Sequence, residues 1–333
     1  KEGFAQPMTQ EKEKVRNGET RASGRPIVLC ADDFGLAPGV NDAIIELIAQ
    51  GTITATSVMP GQPFWPTGAL VLRTVAAGRA AVGWHVTLTE QQPAFTHGRL
   101  VRFGRLPPLK ALLARAWTRT LPLAAVRDEL TAQLDAFEDR WGAPPAFVDG
   151  HQHVHLLPGV REVLLELLLE RYSPTTFWAR DTVEPIAAIR ARGVGVGKAA
   201  FLSRLGRRWR TLLDHHGIAR NDGFAGAHDF AEKPPFRTKF QAFLRHAGPR
   251  PLLFLHPGIP DAPLAQVEQL VAARAWEYAY LKSDAVWSDL AAAGLRPANR
   301  AADGRNPRTH RRGAGAPAGS GAGTGRLAGA PVG

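Results

Sequence analysis

Five short apolar runs, spread from residue 27 to residue 256, each carry Asp, His or Arg at or near their C-terminal end. Ile27–Ala31 is followed by Asp32-Asp33. The run Ala81–Leu88 contains Gly83-Trp84-His85. Ala146–Asp149 leads into Gly150-His151-Gln152-His153-Val154-His155. Thr176–Arg180 ends in Arg180-Asp181, and Leu252–His256 ends in His256-Pro257-Gly258. A further run, Ile53–Met59, and a glycine-rich one, Val194–Ala199, also read as strands. Helical patterns separate them at Pro38–Gln50, Leu123–Trp141, Pro158–Tyr172, Glu184–Arg192, Lys239–Ala247 and Leu264–Ser283. Short strands alternating with helices imply a parallel sheet, doubly wound or closed into a barrel. All strand C-termini of such a sheet open on one face, where ligands bind. The spacing therefore predicts an α/β fold in which distant segments deliver Asp, His and Arg to one mouth.

The pair Asp32-Asp33 has two readings at this point. Neighbouring residues of a strand point to opposite faces, and a desolvated carboxylate without a partner is costly. A strand-ending turn with one Asp as a helix cap is the structural reading. The histidines at other strand ends favour a second. Asp with two His forms a facial metal triad with open positions. A carboxylate beside such an ion can serve as general base. His151 is read as a ligand. His153 is read as supporting a ligand or touching substrate, and His155 as structural. The remaining histidines, His97, His215, His216, His228, His246 and His310, are read as surface or loop residues.

Composition bounds the rest. A chain of 333 residues with 44% hydrophobic and 21% charged content is ordinary for a globular protein with a sizeable core. The lone cysteine, Cys30, excludes an internal disulfide and reads as a small core residue in a reducing, cytoplasmic setting. The net charge of +11 raises nucleic acid as a partner. Much of it lies at the C-terminal end, where Arg300, Arg305, Arg308, Arg311, Arg312 and Arg326 face one acid, Asp303. No specific nucleic-acid role is expected. The cluster Arg204, Arg207, Arg208 and Arg210 reads as a solvated helix face, with contact to an anionic substrate as the alternative. No stretch approaches the length of a membrane span. Residues 1–25 read as a disordered leader, 26–298 as one folded domain and 299–333 as a flexible Gly/Ala/Pro/Arg-rich tail. The interval Gln91–Pro122, rich in Pro and Gly and ending in a short helix-like run, reads as an insertion over the active face, in the position of a substrate lid. Oligomeric state is open, with a homodimer among the options.

The ordered motifs Ala31-Asp32-Asp33-Phe34-Gly35-Leu36-Ala37-Pro38-Gly39-Val40-Asn41, Thr54–Met59, Val82-Gly83-Trp84-His85, Val148–His155 and His256-Pro257-Gly258 resemble the YdjC-type carbohydrate deacetylases. That family includes chitooligosaccharide deacetylases and hopanoid-associated relatives, and the resemblance covers residues 26–290. It implies a distorted (β/α) barrel of the glycoside hydrolase/deacetylase type and removal of an acetyl group from an N-acetylated sugar. It also implies metal ligation by Asp33, His85 and His151, with Asp32 as general base and His256 as catalytic acid. His153 is the weaker choice for that acid. Arg180 is expected to orient Asp32 or bind substrate, with a surface Arg at a strand end as the structural reading, and Trp84 to shape the sugar pocket. Trp84 stands where the family usually has Leu, and Gly150 where Ser is common. The resemblance points to Mg2+, whereas two histidines suit Zn2+ or another transition ion. Two other functions fit the residues less closely: another metal-dependent amidohydrolase or phosphoesterase, and a non-catalytic sugar-binding protein.

Overall fold

A computed structural model describes residues 24–95 and 99–299. The expectations for residues 1–23, for 300–333 and for His97 lie outside these. Strand β1, Arg25–Phe34, is the longest and lies at the centre of the sheet. The others are β2 (Ala55–Val58), β3 (Ala81–Val86), β4 (Phe147–Gly150), β5 (Trp178–Ala179), β6 (Ala219–Arg220), β7 (Phe224–Ala225), β8 (Leu252–Leu255) and β9 (Leu295–Pro297). They run in the order β6-β5-β4-β3-β2-β1-β8-β7, with β9 beside the start of β1, and every pairing is parallel. This is a curled, incompletely closed barrel. Its edge strands β6 and β7 are separated by only Asn221–Gly223. The Asn221 amide bridges this corner: Nδ2 donates to the carbonyls of Asp181 (2.7 Å) and Gly223 (2.9 Å), and Oδ1 accepts from Asp181 N–H (2.7 Å). Side-chain bonds thereby satisfy backbone groups that a longer strand would pair.

Helices cover the outside: α1 (Pro38–Gln50), α2 (Trp65–Ala76), α3 (Leu109–Thr118), α4 (Leu123–Trp141), α5 (Val160–Arg171), α6 (Ile186–Arg192), α7 (Val196–His215), α8 (Phe236–Leu244), α9 (Ala262–Val267), α10 (Val271–Lys282) and α11 (Ala285–Ala292). Three expectations change. The leader was taken to include Arg25, but the strand starts there, paired with Leu295 of β9. Val194–Ala199 is not a strand. Gly195 is left-handed (φ 55°) and α7 begins at Val196, its apolar residues Leu202, Trp209 and Leu213 being buried on helical spacing. The expected helix Leu264–Ser283 is two helices. The Glu268 carboxylate accepts from the N–H groups of Gln269 (2.8 Å) and Leu270 (3.0 Å) and breaks the helix between α9 and α10.

Strand alternation divides the core in two. One face of each strand meets the helices in the large outer core. The other face fills the barrel with Cys30, Ala55, Ala81, Phe147, Trp178, Phe224 and Phe254, among others. Small residues on β1–β3 make room for large ones on β4, β5, β7 and β8. Phe147 stacks on Trp178 at 4.3 Å, and Phe224 on Phe254 at 5.1 Å. Gly83 belongs to this inner face, and a Cβ there would lie 2.6 Å from the Phe147 ring. That ring, held against Trp178, has little room to yield. Gly83→Ala is therefore expected to destabilise the protein by about 1–3 kcal/mol. Urea unfolding would report this as a lowered midpoint at constant slope, and an unchanged midpoint would contradict the packing argument.

Candidate metal centre

One step of strand alternation above the apolar filling lies a polar layer. Cys30 is followed on its face by Asp32, Ala55 by Ser57, Gly83 by His85, Phe147 by Asp149, Trp178 by Arg180, and Phe254 by His256. Period-two geometry alone brings these side chains to the strand C-termini of the barrel. Asp33 is out of step and should point to the outer face. Its backbone is left-handed (φ 71°), and the β1–β2 register slips between Ala31 and Phe34. This irregularity brings Asp33 to the same mouth as Asp32. The pair is thus neither a simple strand nor a helix cap.

Arg180, fully buried, organises the layer. Its guanidinium donates to both carboxylate oxygens of Asp32 (2.6 and 2.7 Å) and lies 2.5 Å from Asp149 Oδ2. The surface reading of Arg180 is overturned by its complete burial, and its guanidinium contacts Asp32. Burial pushes the Asp32 carboxyl up from its ordinary range, and Arg180 opposes that shift. Ser57 Oγ sits 3.2 Å from Asp32 Oδ1 and 2.9 Å from His85 Nδ1. Asp33 has its own arginine: Arg274 Nη2 is 2.6 Å from Asp33 Oδ2 and 2.9 Å from Glu268 Oε2. Burial alone would raise the Asp33 pKa, but Arg274 and the His151 and His85 rings hold it well below the usual carboxylate range.

Asp33 Oδ1 is also the point on which two imidazoles converge. His85 Nε2 lies 3.1 Å away and His151 Nδ1 2.9 Å away. The other nitrogen of His85 is 2.6 Å from Asp149 Oδ1. If Nδ1–H is donated to Asp149, the Nε2 lone pair faces the Asp33 oxygen, and the two acceptors need a cation between them. Burial opposes charge on this ring, yet Asp149 and Asp33 push the His85 pKa up to about 10. The surroundings thus favour positive charge at this spot. Three buried carboxylates, Asp32, Asp33 and Asp149, meet only two guanidiniums here. One ligand atom each from Asp33, His85 and His151 lies within 4.8 Å of the others, so the three residues fit a bound metal ion. A carboxylate on the far nitrogen of His85 is the usual way such a ligand is oriented.

The other named residues separate. Residues His151–Leu156 form a 3-10 turn with left-handed Gln152 (φ 51°) and His153 (φ 60°), so the three histidines do not share a direction. His153 packs edge-on against Phe254 (5.2 Å) and Phe224 (6.0 Å). His155 is fully buried against Trp209 (6.1 Å), and burial pushes its pKa down to about 3. A Cβ on Gly150 would come within 3.0 Å of His155 Nδ1, so glycine at 150 makes room for histidine at 155. His256 is half-buried. Its ring lies 5.3 Å from Phe230 and 5.4 Å from Phe254, and its backbone N–H donates to Glu277 Oε2 (2.7 Å). Burial pushes its pKa well down, against the pull of Asp33. Trp84 does not line the mouth. It is fully buried on the opposite face of β3 from His85 and donates its indole N–H to Gln133 on α4 (3.3 Å).

The residue types alone gave no role to Asp149, Ser57, Arg274 or Glu277. Asp149 and Ser57 could have been found by counting two residues on from the inner apolar positions. Arg274 and Glu277 lie on α10, outside the strand pattern. His228, read as a surface residue, is buried, with Nε2 3.2 Å from Glu277. A cleft of about 940 Å³ opens beside the centre, between the insertion and α9. Its walls include Glu90, which accepts from Gln152 beside His151 (2.9 Å), and Glu268, which holds Arg274.

Fold and site together define a parallel α/β barrel protein with a buried carboxylate–imidazole centre at its strand C-termini. The chain belongs to the YdjC-like protein family, whose model matches residues 26–292. Among its relatives is the carbohydrate deacetylase of Mus musculus, 28% identical over 263 residues, which covers 72% of this chain and 80% of that protein. The carbohydrate deacetylase of Homo sapiens is 30% identical over 60% of this chain and 62% of that protein. The chitooligosaccharide deacetylase of Citrobacter koseri is 33% identical over 147 residues, and the match spans 44% of this chain and 57% of the relative's length. The crystal structure of a candidate cellobiose-phosphate cleavage protein from Enterococcus faecalis has the same fold (TM-score 0.65, 21% identity, 83% of this chain and 98% of that one).

Removing Arg180 leaves Asp32 and Asp149 buried without their shared cation. Arg180→Met is expected to cost about 3–5 kcal/mol of folding stability. Chemical denaturation measures it, and a loss below about 1 kcal/mol, the worth of an exposed pair, would show that the pairing is not structural.

Proposed function

We propose that this protein is a metal-dependent carbohydrate N-deacetylase, which hydrolyses the acetamide of an N-acetylated sugar to acetate and a free amine. The observation that carries this reading is the division of labour within the adjacent pair. Asp33 meets His85 and His151 at one point, while Asp32 is held by Arg180 beside it. Asp33, His85 and His151 are the assigned ligands of a divalent ion, which when bound would polarise the amide carbonyl and acidify a water. Mg2+ is the ion suggested by the resemblance, and the two imidazoles suit Zn2+.

Asp32 is the assigned general base. Burial raises its proton affinity, and the bidentate Arg180 fixes its orientation. It takes a proton from the attacking water as the C–O bond forms. His256, which reaches the mouth from β8, is assigned to deliver a proton to the departing nitrogen as the C–N bond breaks. Asp149 supports His85 and does not itself reach substrate in this scheme. The relatives' names support an N-acetylated sugar as the substrate class.

Asp33→Ala and His151→Ala are expected to lose bound metal and acetate release together. Elemental analysis of protein purified without added ions reads the first, and acetate assay on N-acetylglucosamine oligomers the second. Metal retained in both variants would reject the ligand assignment. Asp32→Asn should keep its metal and lose about 10²–10⁴-fold in turnover. Full activity in that variant would remove Asp32 as the base. Phosphate release from phosphoesters without acetate release from the oligomers would favour the phosphoesterase alternative.

A further inference from the structure

Two segments of this chain lack any carboxylate: residues 91–127, within and just beyond the insertion, and residues 185–213, covering α6 and most of α7. Each carries seven Lys or Arg residues. The segments meet where Trp117 of α3 stacks on Phe201 of α7 (6.5 Å, 20° between planes). Both rings remain about half exposed, Trp117 at 52% and Phe201 at 47%. On α7, Phe201, Arg204 and Arg208 share one face by helical spacing, and both arginines are exposed. Arg102, Arg105, Arg115, Arg119, Arg204 and Arg208 form no ion pair among the described residues.

The insertion also carries a tight hairpin. Arg102 and Arg105 exchange both backbone hydrogen bonds (3.0 and 3.1 Å) across Phe103-Gly104. Both central residues are left-handed, Phe103 at φ 53° and Gly104 at φ 72°. Glycine suits that turn, whereas an aromatic side chain there is strained. The strained turn leaves the Phe103 ring 91% exposed, its only described ring partner being the Arg102 guanidinium at 5.0 Å. Water is a poor solvent for this ring, and no core contact explains its position.

We propose that this hairpin docks on an anionic lipid surface, with Phe103 entering the interface between Arg102 and Arg105. Exposed aromatic tips flanked by unpaired cations suit the boundary between headgroups and acyl chains, where apolar burial and attraction to anionic lipid act together. A nucleic acid or an anionic glycan would also take the charge. Neither, however, calls for a ring left 91% exposed on a hairpin tip at the outer edge of a cleft. The hairpin borders the cleft beside the metal centre, because Phe103 lies on that cleft's outer wall. A docked protein would therefore present the cleft to molecules held at the lipid surface. The contact involves none of the residues assigned to deacetylation, so its test is independent of that reading.

The test is co-sedimentation of the full chain with vesicles of phosphatidylcholine alone or with about 30% phosphatidylglycerol, at about 0.1 M salt. Binding is expected only to the anionic vesicles and should weaken as salt rises. Phe103→Ser changes no charge and should lower the partition coefficient about tenfold, Phe103→Trp should restore it, and far-UV circular dichroism should show both variants folded as the parent chain. Failure to bind anionic vesicles overturns the proposal. So does equal binding by Phe103→Ser, since the surface would then adhere by charge alone, as it would to heparin or RNA.

Discussion

The buried Arg180 between Asp32 and Asp149 is the interaction on which the rest of the centre depends. A guanidinium with no exposure to solvent is tolerable only when carboxylates surround it, and a buried carboxylate only when a cation does. Arg180 satisfies Asp32 with two parallel hydrogen bonds and Asp149 with a third contact. Asp149 is then fixed against His85, and His85 against Asp33. One guanidinium thus orients, through two steps, the oxygen on which both imidazoles converge. Lysine could not do this, since its ammonium lacks the planar fork that grips two acceptors at once.

The remaining charge follows from a count. Arg180 and Arg274 face Asp32, Asp33 and Asp149, and Arg274 is shared with Glu268, so negative charge is left over in a buried site. The chain can answer it by protonating His85, whose basicity is raised accordingly, or by holding a cation from outside. These alternatives compete for the same Nε2 lone pair. The residues that make the site fit a metal ion are therefore the ones that would make it proton-rich without one. This is one reason for a protein to keep five buried charges together, where apolar side chains of similar volume would often be as stable.

Much of this arrangement was legible in the sequence. The β1, β3 and β4 runs and the residues at their ends were plain, because an apolar stretch that stops at Asp or His is a local signal. What could not be read was whatever depends on the path between strands. Two-residue strands such as Ala219–Arg220 and Phe224–Ala225 carry no periodicity, so the barrel's edge was invisible. Val194-Gly195-Val196-Gly197 alternates like a strand, but a left-handed glycine turns it into a helix start. Trp84 was placed at the mouth because it adjoins His85, although adjacency in a strand means opposite faces. Asp33 is the reverse case: adjacency to Asp32 should have separated the two, and a left-handed backbone at a register slip brought them together. Strand alternation was thus the right rule for Trp84 and the wrong one for Asp33.

The same alternation explains how the site and its rim can differ independently. The reactive side chains stand on short strands over a floor of stacked aromatics, where even a methyl group at Gly83 meets a ring. The insertion is attached differently. Its N-terminal end is held by the Glu129 carboxylate, which accepts from Ala94 and Phe95 N–H (2.8 Å each), and by Gln133, which clamps both backbone groups of Thr87. Both anchors belong to α4, on the helix side of the sheet, and neither touches the centre. Beyond them the segment carries a basic hairpin and an exposed ring apart from Asp33, His85 and His151. The barrel thus fixes the positions of the polar side chains at its mouth, whereas the insertion is anchored apart from them.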